Sequence, residues 1–163
     1  MARYREANVF FTASVLGMRA VSHVIEDQAA TMGGTLRFYS GFQKLSRVNA
    51  QKERYLKILA TGNPVYIFSV PDVELWDDPN LHVVELENEP DFARHNLSHN
   101  WFLVLHNPQL ASMALITREL SNDLPPTHAL DRLVYRNFEG FWTYDQEIIG
   151  RVVEILDDYI HNH

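Results

Sequence analysis

His23, Glu26 and Asp27 stand at i, i+3 and i+4, so on a helix their side chains meet on one face. An imidazole that titrates near neutrality beside two carboxylates can line a polar pocket, act as a proton-linked switch or serve acid–base chemistry. The same three residues also suit a histidine satisfied within its helix or by a neighbouring strand. Glu139 is a second candidate, set in Phe138-Glu139-Gly140-Phe141-Trp142-Thr143-Tyr144. Extended, this stretch sends Phe138, Gly140, Trp142 and Tyr144 to one face and Glu139, Phe141 and Thr143 to the other.

Large aromatics on both faces predict a strand covered on both sides and central in its sheet. A carboxylate there needs an arginine, a histidine or backbone donors, and Arg54, Arg118, Arg136 and His23 are the candidates. The pair is either structural or part of ligand recognition, expected near His23 or Gln43. Gly140 leaves room for another backbone or a ligand to approach. Gln43 beside Phe42 can orient a planar ligand or cap the next segment. Trp76, Trp101 and Trp142 can stack on a chromophore or fill the core.

Other chemistry finds little support. There are eight histidines, with His95-x-x-x-His99 at helical ligand spacing and His161-x-His163 at the tail. The first pair lies in a polar, Asn-rich stretch, and no glutamate follows His95 as a metalloprotease helix requires. No metal site is expected. The chain has no cysteine, which removes disulfides, thiolate catalysis and covalent tetrapyrrole attachment. No nucleophile–base constellation stands out, so no catalytic residue is assigned and the protein is read as a non-enzyme. A net charge of −7 disfavours nucleic acid and anionic membranes as partners.

The positioning elements follow from periodicity. At 163 residues, 46% hydrophobic and 21% charged, the chain fits one globular domain spanning 1–163. Met1-Ala2-Arg3-Tyr4-Arg5 is basic, but Thr12, Ser14 and Arg19 interrupt the apolar run after it, so no signal peptide is expected and a cytoplasmic location is inferred. A helix is predicted from about 8 to 31, ended by Gly33-Gly34. A short strand at 35–40 leads into Gly41-Phe42-Gln43. A second helix is expected from Asn49 as N-cap. Val65–Val70 reads as a buried strand and Leu81–Leu86 as a short one. Trp101–Leu105 and Ser112–Glu119 suggest an antiparallel hairpin. A polar loop over Asn122–Asp131 precedes the aromatic strand, taken as Arg132–Tyr144, and Asp145 caps a final helix. Ile148, Ile149, Val152, Val153, Leu156 and Ile160 cover more than one face of that helix, which would suit a homodimer.

Several pieces together resemble the DICT domain, a bacterial sensory module named for diguanylate cyclases and two-component systems. They are Ser22-His23-Val24-Ile25-Glu26-Asp27, Gly41-Phe42-Gln43, Val65-Tyr66-Ile67-Phe68 with Pro71-Asp72, Trp101-Phe102-Leu103-Val104, and Phe138 to Thr143. The resemblance spans about residues 15–155. It implies a cytoplasmic input domain in light- or redox-related signalling, ordinarily fused to an output domain for which this chain has no room. It supplies no catalytic residues.

Taken together, these features lead to an α+β fold, a mixed, mostly antiparallel sheet of about five strands flanked by helices, with Leu81–Glu119 forming three neighbouring segments. The functional expectation is a sensory or regulatory domain that binds a small ligand, a chromophore or a signalling partner such as a kinase, cyclase or regulator. Its expected site is His23, Glu26, Phe42, Gln43, Trp101, Glu139, Phe141 and Trp142, with no cofactor specified. The alternatives are an interaction scaffold with a filled core, and a small hydrolase or lyase using His23 with Glu26 or Glu139.

Overall fold

The computed structural model describes residues 8–87, 97–120 and 137–162. Strand β1 (Asn8–Ser14) leads into helix α1 (Val15–Thr31), and β2 (Arg37–Lys44) into the short helices α2 (Leu45–Asn49) and α3 (Lys52–Leu59). There follow β3 (Val65–Val70), β4 (Leu81–Glu85), a 3-10 turn at Leu97–His99, β5 (Asn100–His106), β6 (Met113–Glu119), β7 (Asn137–Thr143) and helix α4 (Gln146–Asn162). The strands form one sheet in the order β1-β7-β6-β5-β2-β3-β4. Pairing is antiparallel from β1 to β2, whereas β3 and β4 join in parallel.

The α+β class and the mixed, mostly antiparallel sheet agree with expectation, although the sheet has seven strands where about five were predicted. One of the extra strands is β1. Residues 8–14 were assigned to the first helix, but Val9, Phe10, Phe11 and Thr12 favour extended backbone and find a partner in β7, Phe10 opposite Phe141. The helix starts one residue later, where the Ser14 hydroxyl accepts from the Gly17 N–H at 3.4 Å. Asn49 does not cap the second helix; it ends α2, whose Leu45 and Val48 are buried, and α3 starts after Gln51.

The three segments between Leu81 and Glu119 are not all neighbours. β5 and β6 form the expected hairpin, but β4 lies at the far edge, separated from β5 by β2 and β3. Its mostly exposed side chains suit an edge strand, and parallel pairing to β3 satisfies one side of its backbone. Asp145 caps the last helix as expected, its Oδ1 accepting from the N–H of Glu147 at 2.9 Å and of Ile148 at 3.3 Å. The polar loop over 122–131, the first residues of the long aromatic segment (132–136), His95 and His163 lie outside the described residues.

The sheet separates two cores. On one face, α1, α2 and α3 pack on Phe38, Phe42, Ile67, Trp101, Leu103, Leu105, Leu115 and Phe138. On the other, Ile149, Val153 and Leu156 of α4 meet Tyr39, Phe68, Phe102, Val104 and Ala114. The unbroken apolar run of β5 follows from this: it is the middle strand, and its alternate residues enter different cores. Gly140 permits the tight junction of β6 and β7, since a Cβ there would lie 2.0 Å from the Ile116 carbonyl oxygen.

Candidate functional site

A cavity of about 270 Å³ lies where α1 crosses the corner between β2 and α2. Helix α1 contributes Val15, Arg19, Ser22, His23 and Glu26, a stripe that falls on one helical face. Phe42 comes from β2, Ser46 and Arg47 from α2, Ala50 and Gln51 from the link to α3, and Trp101 from β5. The wall combines a flat apolar side with a polar one. Phe42 and Trp101 pack at 5.6 Å between ring centroids, and Trp101 meets Phe138 edge-on at 5.3 Å. The Trp101 indole N–H donates to the Ser22 hydroxyl at 3.1 Å, which fixes the ring.

Beneath the cavity is a buried charge. Glu26 is only 2% exposed, and its Oε1 accepts from Arg54 Nε at 3.1 Å. Arg54 also donates to the His23 carbonyl at 3.0 Å and to Asp27 Oδ1 at 2.6 Å, so one guanidinium on α3 ties three successive polar groups of α1. Burial pushes the Glu26 carboxyl up from its ordinary value, against the pull of Tyr55 and Arg54. Burial, with the Glu26 charge added, also pushes the fully buried Tyr55 well above its ordinary range. The Tyr55 hydroxyl faces Glu26 and Ser40, and Glu26 Oε2, Tyr55 Oη and Ser40 Oγ each lack a partner at hydrogen-bonding geometry among the described residues. His23 Nε2 lies 3.1 Å from Gln51 Oε1.

Of the eight residues expected at one site, His23, Glu26, Phe42 and Trp101 line this cavity. Gln43 sits beside it. Its backbone adopts φ 72°, at a register shift between β2 and β3, and its side chain donates to Glu119 at 3.1 Å and accepts from Arg47. Trp142 packs into the same core but away from the cavity. Glu139 and Phe141 do not converge with the rest. They face the α4 side of the sheet in a shallow surface depression with Phe10 and Ile116. Glu139 has the arginine partner it was expected to need, Arg118 Nε donating at 2.7 Å, but its side chain is 41% exposed and the pair is solvated, not buried. The alternation of β7 placed it correctly on the face opposite Trp142; that face is incompletely covered near the β1 edge.

Ser22 was named only within the segment that resembles the family, and Arg19, Ser46, Arg47, Gln51 and Tyr55 were not singled out from the sequence. The α1 members were accessible to it, since Arg19, Ser22, His23 and Glu26 recur at three- and four-residue intervals. Those on α2 and its link become neighbours only through the corner at Gln43. Among the described residues His23 lies against Gln51 and Glu26 against Arg54, and no hydrogen bond joins His23 to Glu26. Among the described residues no group of three or more histidine, aspartate or glutamate side chains gathers to hold a metal, and no helix is long and apolar enough to cross a membrane.

The family model that matches is DICT, described as a sensory domain in diguanylate cyclases and two-component system, over residues 4–119. No curated protein matches. Among solved structures the chain is similar to the polyphosphate kinase from Porphyromonas gingivalis, with a TM-score of 0.55 at 14% identity, over 94% of this chain and 26% of that one. It is also similar to TrmBL2, an archaeal chromatin protein, with a TM-score of 0.49 at 9% identity over 94% and 52% of the two chains. NucT from Helicobacter pylori gives 0.45 at 12% over 94% and 95%. The chain thus spans about a quarter of the kinase (26%) and about half of the chromatin protein (52%), and the first likeness concerns the fold alone.

Proposed function

The chain belongs to the DICT family of sensory domains, and from that premise we propose that it is a non-enzymatic, cytoplasmic input module whose signal is a small ligand bound in the cavity between α1 and the β2–α2 corner. The observation that carries this reading is the construction of the cavity itself. An apolar wall of Phe42 and Trp101 faces polar groups of α1 and α2, and the Glu26–Arg54 pair lies beneath. Small-molecule sites have this make-up of mostly apolar lining and a few placed polar groups. The cavity, of about 270 Å³, opens beside a buried carboxylate, which supports a binding role.

The sensory unit extends beyond residue 119. β7 lies between β1 and β6, and α4 covers the second face of the sheet, so residues 137–162 complete the same domain. Occupation of the cavity would alter the packing of α1 against α2 and α3, elements a signalling partner can read from outside. The partner is a kinase, cyclase or other regulator of the kinds in which the family occurs.

An interaction scaffold is the second reading. It is favoured by apolar side chains left at the surface, with Phe10 62% and Ile155 65% exposed. A homodimer through α4 would be one form of it. The two readings separate in one experiment. Freshly purified protein is weighed under native and denaturing conditions, and its thermal unfolding is followed across nucleotides, flavins and small carboxylates. The ligand reading expects a retained mass or a stabilising compound, lost on Ala50→Phe, which narrows the cavity. No retained mass and no stabilisation by any compound would contradict it.

A further inference from the structure

The wall of the cavity specifies a class of ligand. We propose that it selects a small organic monoanion, an aromatic or cyclic carboxylate, with its ring against Phe42 and Trp101 and its carboxylate at Arg19. This rests on the reading of the cavity as the ligand site and adds the chemistry that the site would recognise.

Charge is the first support. The chain carries a net −7, so its overall charge disfavours anions. The cavity lining has the opposite balance, with Arg19 and Arg47 against the single carboxylate of Glu26, which Arg54 already engages at 3.1 Å. Arg19 is exposed and makes no hydrogen bond or ion pair among the described residues, though it stands on an ordered helix at the mouth of a concave site. A guanidinium held in this way presents a planar donor fork matched to a carboxylate.

The apolar wall is the second. Phe42 and Trp101 are 4% and 5% exposed, their rings are tilted 59° to one another, and both line the cavity. The Trp101 N–H is already committed to Ser22, so the indole offers surface and not a donor. The polar wall opposite is the His23–Gln51 pair, able to meet a ring heteroatom or hydroxyl. Size is the third. A cavity of about 270 Å³ has room for one ring system with a short acidic group.

The test compares charged and neutral isosteres on the full chain. Benzoate and indole-3-carboxylate are titrated by calorimetry beside benzamide and indole-3-carboxamide, for the wild type and for Arg19→Gln. The carboxylates are expected to bind at least about tenfold more tightly than the amides, the value of one charge-assisted hydrogen bond. That advantage should shrink to within about threefold in Arg19→Gln, with the unfolding midpoint unchanged because Arg19 is exposed. Equal binding of amides and carboxylates, or a preference untouched by Arg19→Gln, would overturn the anion assignment and leave the cavity standing as a ligand site. Binding by neither series would also overturn the anion assignment, while the ligand-site reading stands or falls on the wider screen of nucleotides, flavins and carboxylates.

Discussion

Replacing Arg54 with methionine tests whether Glu26 is a buried charge that the fold must compensate. Methionine keeps much of the arginine stem and removes the guanidinium, together with its bonds to Glu26 Oε1, the His23 carbonyl and Asp27. Asp27 contributes little, since its side chain is 69% exposed. Glu26 is 2% exposed and then has two options. Remaining ionised without its cation would cost about 3–5 kcal/mol. Taking up a proton at pH 7 would cost about 3.4 kcal/mol for a carboxyl at the ordinary value of 4.5, at about 1.36 kcal/mol per pH unit, and less for one that burial has already raised. The cheaper route is protonation, so Arg54→Met should lose about 2–3 kcal/mol at pH 7.

The sign of the pH dependence follows. A carboxyl whose folded pKa lies above its unfolded one loses its proton first in the unfolded chain. Stability therefore falls as pH rises from about 4.5 through the raised folded value, and is level above it. Arg54→Met widens that window, so its deficit should be small near pH 4.5 and largest near pH 8. In a Glu26→Gln background the same substitution should cost no more than about 1 kcal/mol, with the pH dependence gone, because a neutral amide needs no cation. Urea unfolding followed by far-UV circular dichroism, for the four members of this cycle at several pH values, supplies the numbers. An Arg54→Met deficit that is the same at every pH and in both backgrounds would refute the reasoning.

Glu139→Gln should change stability by less than about 1 kcal/mol in urea unfolding, because its pair with Arg118 is solvated; a loss above 3 kcal/mol would show that the strand buries it after all. Gly140→Val should cost about 3 kcal/mol or more, since the new Cβ would meet the backbone of β6 at Ile116 and Thr117, and an unchanged denaturation midpoint would contradict that junction. A chain ended after residue 119, where the family match stops, should not show cooperative unfolding by circular dichroism or dispersed amide resonances. It would lack the strand between β1 and β6 and the helix over the second core.

The features legible in the sequence are those with a local cause. The Val65–Val70 strand, the β5–β6 hairpin, the Asp145 cap and the amphipathic final helix each follow from periodicity or a capping residue. Four of the eight expected residues come together in one cavity, where His23 and Glu26 share a helical face and Phe42 and Trp101 line the wall with them. Topology was not legible. Nothing local distinguishes β4 as a partner of β3 from β4 as a neighbour of β5, and Val9 to Thr12 form a strand only because β7 is there to pair with them. Glu139 was misplaced by a related gap. The alternation in β7 assigns its face correctly, but how completely that face is covered depends on where α4 ends up. Arg54, weighed as a partner for Glu139, serves Glu26 instead, a choice made by the packing of α3 on α1.

The central claim, that the cavity beside α1 is where this domain receives its signal, is tested most directly by amide and indole N–H shift mapping during titration with indole-3-carboxylate. The expected result is a saturable set of shifts confined to Val15–Glu26, Phe42, Ser46–Gln51 and the Trp101 indole N–H, the donor held by Ser22. Shifts centred instead on Glu139, Phe141 and Phe10 would contradict it.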